Sequence, residues 1–334
     1  MRILCRDSVR DSSHGAAVSE FNYKIWRRRF RALLLAFTSS LILGGCTHGL
    51  AHQQAPKDYK LDKISSESVT TANGDIEHDV YFFPGPSKQA PPILLLHELP
   101  GLSPNTLYFA ETLSKDFNVY VPLLFGSPNQ ENTFFGTLAY LFNGQWSEQA
   151  SLMGSLPITE WASAAIDRIK DHHPGQSIGV IGMCLTGAMP LSLLDHKEVK
   201  AVVLAQPTLP IFGKEDDLGI SAKEWEIAKH RADAGDIHVY GVRFRYDTIA
   251  KRAKHSRLKR ELGEKTFLDR EITSQEYCNK DADGNYTDCP KSHSTLTYGW
   301  SPDFPDNHPM NVRRFEVRDF FKTWLIQAED VKGK

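Results

Sequence analysis

Basic charge is not in excess in this sequence. Thirty-nine Lys and Arg stand against 41 Asp and Glu, a formal net charge of -2, so nothing in the overall balance suggests a nucleic-acid partner. No cluster of His and Cys has the spacing of metal ligands, so no catalytic metal and no other cofactor is expected. There is no internal repeat, which sets aside solenoid architectures. Cysteine is scarce, five in 334 residues. The conspicuous apolar run, Ala32 to Leu43, falls short of the about 20 residues that a spanning helix needs.

What is present is the composition of a globular protein, 41% hydrophobic and 24% charged, enough to bury a core. The length suits one large α/β domain or two small ones. The first 45 residues stand apart. Lys24-Ile-Trp-Arg-Arg-Arg-Phe-Arg31 is strongly basic, Ala32 to Leu43 is apolar, and Leu43-Gly44-Gly45-Cys46 follows. A basic, an apolar and a small-residue region in that order make an export signal. An aliphatic residue, two small residues and Cys match the bacterial lipobox, in which a lipid on Cys46 holds the protein at a membrane surface. The competing reading is a cleaved signal with a coincidental Cys. Residues 1–45 carry eight of the basic and three of the acidic side chains, so the remainder is mildly acidic, and an anionic polymer is a poor partner for it.

The expected layout is a signal peptide over 1–45, a polar tether over 47–75 and one domain over 76–330. Strands are expected at Val80–Phe83, Ile93–Leu96, Asn118–Pro122, Ser177–Gly182, Ala201–Leu204, Ile237–Val242 and Phe267–Ile272. Helices are expected near Asn105–Lys115, Ile158–His173, Leu185–Leu194 and Asn311–Ile326. Continuous apolar strands alternating with helical segments predict a mainly parallel sheet with helices on both faces. The aromatic-rich stretch 127–157 is either a surface helix or a cap over the active site.

Chemistry concentrates at Ile178-Gly-Val-Ile-Gly-Met-Cys184-Leu-Thr-Gly187. A short apolar strand runs into a glycine, turns at a Cys and leaves as a helix, the pattern of a nucleophile elbow with sulfur in place of oxygen. A helix N-terminus favours thiolate there. The bland reading is a buried inert thiol. A nucleophile needs a base and the base an orienting acid. His293 lies in a polar loop after the last strand, and Asp247 just beyond a late strand, with Asp236 and Asp269 as rivals. The order Cys, Asp, His is that of an α/β-hydrolase triad. His97 reads as a structural residue beside this site. Cys278 and Cys289 are close enough in sequence to form a disulfide, and Asp281–Asp288 between them reads as a solvated turn rather than a calcium loop.

From about Val80 to Leu325 the chain resembles the dienelactone hydrolase family. The resemblance rests on Leu95-Leu-His-Glu-Leu-Pro-Gly-Leu102, the Cys184 elbow, the Asp247 segment and His293-Ser-Thr-Leu-Thr297. It implies an α/β-hydrolase fold. It also implies that Glu98 faces the nucleophile and governs its ionisation, and that the backbone N–H groups of Leu99 and Leu185 form the oxyanion hole. Thr186 stands where the family usually has glycine, and no arginine follows His293 where the type members bind a substrate carboxylate. Arg243 and Arg245 are the nearest substitutes. The expected activity is hydrolysis of a small-molecule ester or lactone by Cys184, Asp247, His293 and Glu98. The alternatives are a non-catalytic binding lipoprotein on a hydrolase scaffold and a thiol redox protein.

Overall fold

The computed structural model describes residues 59–99, 101–126, 157–210, 214–273, 279–280, 286–287, 293–297 and 300–327. The signal segment with Cys46, residues 127–156, Cys278 and Cys289 lie outside the described residues.

Eight strands form one sheet: β1 Ser66–Thr70, β2 Glu77–Phe83, β3 Pro92–Leu96, β4 Asn118–Pro122, β5 Ile178–Met183, β6 Val199–Ala205, β7 His238–Phe244 and β8 Phe267–Ile272. Their spatial order is β1-β2-β4-β3-β5-β6-β7-β8. β2 runs antiparallel to both β1 and β4, and every pair from β4 to β8 is parallel. This order, with the second strand reversed, is that of the α/β-hydrolase fold. β3, β4 and β5 are buried at every position. Helices therefore cover both faces, and these strands read as unbroken apolar runs instead of alternating ones.

Among the described residues there are five α-helices, several of them started by local signals. α1, Pro104–Leu113, starts at Ser103, whose hydroxyl accepts from Thr106 N at 3.1 Å, with Pro104 in the first turn. α2, Pro157–His172, buries Trp161, whose indole N–H donates to Val69 O at 2.7 Å and so ties the helix to β1. α3, Ala222–Asp233, carries a capping box: Glu224 N donates to Ser221 Oγ at 3.2 Å and Ser221 N to Glu224 Oε2 at 2.6 Å. α4 is Arg252–Leu262 and α5 is Pro309–Phe321, the latter continuing as a π-helical turn over Lys322–Gln327. Phe321 and Leu325 from this last segment join Ile93, Ile181 and Val203 in the core.

Three expectations need correction. The tether of 47–75 is too long at its C-terminal end, because 66–70 is an edge strand whose partner runs from Glu77 to Tyr81, and Tyr59 is already buried. The helix expected over Leu185–Leu194 is two short 3-10 segments, Cys184–Thr186 and Met189–Leu193. Pro190 lacks the N–H that an α-helix would need there. The polar stretch after β8 holds a short antiparallel pair, Asn279–Lys280 (β9) with Tyr286–Thr287 (β10), not merely a turn. α3 and α4 were not anticipated: their charge-rich sequences hide the apolar stripe. Among the described residues, no helix is long and apolar enough to cross a membrane.

Candidate active site

β5 delivers Cys184. At its end Gly182 lies so close to the next turn that an added Cβ would come within 2.2 Å of Thr186 O, and a Cβ on Gly187 would meet Pro207 Cα at 2.6 Å. Both positions are restricted to glycine by close approach. Between them Cys184 has φ 55°, a left-handed conformation unfavourable for a side-chain-bearing residue. Its carbonyl is pinned by Gly187 N and by Thr208 N, each at 3.0 Å. The tight strand-to-turn passage, held by surrounding bonds, has the backbone form expected of the elbow. Cys184 is 8% exposed, so its side chain is almost wholly enclosed.

β7 and the loop before α5 bring Asp247 and His293 together. His293 Nδ1 lies 2.6 Å from Asp247 Oδ2. The other carboxylate oxygen, Oδ1, accepts from Ile249 N at 2.8 Å and Ala250 N at 2.9 Å, so the acid is fixed before the imidazole arrives. The Cys184 sulfur lies near enough to the ring to favour its charged form, and the Thr208 hydroxyl bridges the two, within reach of both Cys184 Sγ and His293 Nε2. Burial opposes charge on His293, but the Asp247 carboxylate and the Cys184 sulfur outweigh it and hold its pKa well above the usual histidine value. The rival acids are engaged elsewhere. Asp236 binds Lys200 and Arg231, and Asp269 binds His255 Nδ1 at 2.6 Å.

The third loop comes from β3. β3 and β5 are parallel neighbours with Leu96 opposite Gly182, so the segments holding Leu99 and Leu185 leave the sheet side by side. Leu185 lies in the first turn of a short helical segment, where leading N–H groups lack a partner within the turn. The Thr186 hydroxyl joins the two loops. It accepts from Met183 N at 2.9 Å and lies within donating distance of Leu96 O (3.1 Å), His97 O (3.3 Å) and Met183 O (3.0 Å). The departure from glycine at this position thus has a use. His97 is buried. Its Nε2 accepts from Leu124 N at 3.0 Å, which leaves Nδ1 to donate to Glu98 O, also at 3.0 Å. Burial lowers its pKa to about 4, so it is neutral and structural.

Glu98 is buried but does not hydrogen-bond Cys184. Its Oε1 accepts from Ser294 at 2.5 Å and from Thr297, and its Oε2 from Gln206 Nε2 at 3.1 Å. The carboxylate therefore grips the loop carrying His293. Gln206 was not anticipated. It sits at the end of β6 with φ 37°, and its carbonyl oxygen Oε1 accepts from Thr295 N and Thr295 Oγ1. Thr208, two residues on, is the other unanticipated member: its hydroxyl is 3.5 Å from Cys184 Sγ and 3.3 Å from His293 Nε2. The signal for both was available in Ala205-Gln-Pro-Thr208, a polar pair directly after a wholly apolar strand end.

Neither arginine considered as a substrate anchor is free for that task. Arg243 is buried, bound to Glu271 at 2.6 Å and to the carbonyls of Ala250, Arg245 and Asp247, where it shapes the loop of the acid. Arg245 binds the same Glu271 at 3.1 Å on the surface. Among the described residues there is no group of His, Cys, Asp and Glu arranged to hold a metal ion.

No protein-family model matches the chain, and no curated protein does. Solved structures do. A puromycin-hydrolysing peptidase from Mycobacterium tuberculosis superposes with a TM-score of 0.51 at 14% identity, covering 79% of this chain and 39% of that one. A dienelactone hydrolase from Anabaena variabilis gives 0.47 at 13% identity over 79% of this chain and 99% of that one. An esterase from Pyrococcus furiosus gives 0.47 at 15% identity, covering 83% and 99%. At these identities the likeness is one of fold, and the chain has the α/β-hydrolase fold.

Proposed function

We propose that this protein is a hydrolase of small-molecule esters or lactones that uses Cys184 as nucleophile. The observation that carries the reading is one chain of contacts. A cysteine in a strained left-handed turn shares the Thr208 hydroxyl with a part-buried histidine, whose other nitrogen is 2.6 Å from a carboxylate fixed by two backbone amides. That assembly generates and aims a nucleophile.

His293 takes the proton of Cys184 on Nε2, which gives the thiolate, the nucleophilic form of the thiol. The sulfur attacks the substrate carbonyl carbon, a C–S bond forms and the carbonyl electrons move onto oxygen. The amides of Leu99 and Leu185 receive that charge, usually a large part of the rate enhancement. Collapse of the tetrahedral species expels the alcohol oxygen, which takes the Nε2 proton of His293. Water then attacks the thioester and gives its proton to Nε2, and the acid leaves as the C–S bond breaks. Asp247 keeps the ring in one tautomer throughout. Glu98, Gln206 and Thr295 hold the loop that presents His293.

The test is hydrolysis of a short-chain aryl ester by the chain lacking residues 1–46, beside Cys184→Ala and His293→Ala. Turnover by the parent protein and background rates in both variants are expected. A burst that stalls means that the nucleophile is right and the ester wrong. Equal inertness of the parent and Cys184→Ala, together with no labelling of Cys184 by iodoacetamide, sinks the reading. We further propose, from Leu43-Gly44-Gly45-Cys46 after a basic and an apolar segment, that Cys46 carries lipid and anchors the protein to a bacterial membrane. A fatty-acid label that persists in Cys46→Ala would refute it.

A further inference from the structure

We propose that Thr208 is a catalytic hydroxyl, the second hydrogen-bond donor to the Cys184 sulfur and an alternative acceptor for the His293 proton. The inference rests on the thiol hydrolase reading and adds a group to it that neither the triad pattern nor the family resemblance contains.

The geometry is specific. Thr208 is 5% exposed, and its hydroxyl lies 3.5 Å from Cys184 Sγ, within range for a sulfur acceptor, and 3.3 Å from His293 Nε2. Its backbone N–H donates to the carbonyl of Cys184 itself at 3.0 Å, so the hydroxyl is indexed to the nucleophile by main chain. The segment is held from both sides: Gln206 N donates to Val242 O at 2.7 Å, and the ammonium of Lys254, on α4, donates to Leu209 O at 2.9 Å. A hydroxyl has one proton and two lone pairs. With Nε2 protonated, Thr208 accepts from the imidazolium and directs its own proton to the sulfur. The thiolate then has two donors, His293 and Thr208.

The hydroxyl has a second place to go. Gln206 O lies 3.3 Å from Thr208 Oγ1. When the sulfur becomes a thioester it loses its charge and most of its power to accept, and the Thr208 proton turns to that carbonyl. When water has attacked and the C–S bond breaks, the departing thiolate regains the Thr208 hydrogen bond. No proton leaves Thr208 in this cycle. The hydroxyl stabilises sulfur as the attacking group and as the leaving group. The charged groups around it are Cys184, His293 and Asp247 at the site, Glu98 behind Gln206, Lys254 behind Leu209, and Arg243 behind Asp247.

The experiment is the pH profile of iodoacetamide alkylation at Cys184 in the full chain. Peptide mass spectrometry separates it from the other cysteines, and Thr208→Val and Thr208→Ser are compared with the unmodified protein. Loss of a hydrogen bond to a charged acceptor should move the inflection upward by about one pH unit in Thr208→Val and slow alkylation below it by about tenfold. Thr208→Ser should restore the parent profile, which a merely space-filling role would not predict. Should the valine variant not fold, Thr208→Ala carries the same comparison. Superimposable profiles for the parent and the folded valine or alanine variant overturn the role of Thr208 and leave the nucleophile standing. A parent Cys184 that never alkylates overturns the nucleophile as well.

Discussion

Two histidines near the site, His97 buried and His293 part-buried, respond to pH with opposite signs. Burial depresses His97 from 6.5 to about 4, so the unfolded chain takes up a proton that the folded one refuses. Its stabilising effect is complete above pH 6.5 and is lost as pH falls towards 4, about 3 kcal/mol in all. His293 is raised, through Asp247 and Cys184 against the opposing effect of burial. Its contribution is complete below pH 6.5 and is lost as pH climbs through its folded value. Urea unfolding between pH 4 and 7 should show stability falling on the acid side, and His97→Gln should flatten that fall. An equally steep acid limb in the variant would refute the assignment. The residue scale is also where sequence reading was least complete. Cys184, Asp247 and His293 were legible because the elbow and the strand-end positions restrict which residues can meet. Glu98 was legible as a site residue but not in its role. Gln206 and Thr208 were missed because polar residues after an apolar strand are a signal without a motif; register then brings them beside His293 and the Cys184 sulfur.

At the scale of elements, strong periodicity made the interior of the fold readable. β3, β5 and β6 are apolar because helices cover both of their faces, and α2 carries Trp161, Ala165, Ile166 and Ile169 on one buried side. What escaped was set by tertiary packing. α4, Arg-Ala-Lys-His-Ser-Arg-Leu-Lys-Arg-Glu-Leu, reads as a charged run, yet it buries Lys254, His255, Leu258 and Leu262. Its lysine and histidine enter the interior because carbonyls of the neighbouring loop and Asp269 receive them. β1 escaped because an edge strand with one buried residue, Val69, has almost no pattern. The strand is kept in place largely by pairing with β2 and by the indole of Trp161. Replacing Trp161 with Phe preserves most of the buried surface and removes the hydrogen bond to Val69 O. A loss of about 1 kcal/mol is expected in urea unfolding, together with faster hydrogen exchange confined to β1 and the adjoining half of β2. Unchanged exchange there would show that the indole contributes nothing to the edge.

For the molecule as a whole, the place where the domain begins is a physical question with a measurable answer. Tyr59 is buried, its hydroxyl is 2.5 Å from Glu111 Oε2, and its ring lies 6.5 Å from that of Phe83. A chain starting at residue 59 should unfold at the same urea concentration as one starting at residue 47. A chain starting at residue 76 loses Tyr59, Val69 and the pairing of β2 along one side. It should be less stable by several kcal/mol, roughly that of two buried side chains, and prone to association through the bared strand. Equal midpoints for all three would return 59–75 to the role of a tether.

The left-handed backbone of Cys184 sets the proposed activity against durability at a single torsion angle. A side chain at φ 55° stays there only because the rest of the fold compels it, and the expense is roughly 1 kcal/mol. Glycine is the one residue for which that angle is ordinary. Cys184→Gly should therefore melt at a higher temperature than Cys184→Ala, although neither has a nucleophile. Random mutagenesis selected for heat resistance alone would be expected to discard the sulfur, and a lineage under selection for turnover must keep restoring it.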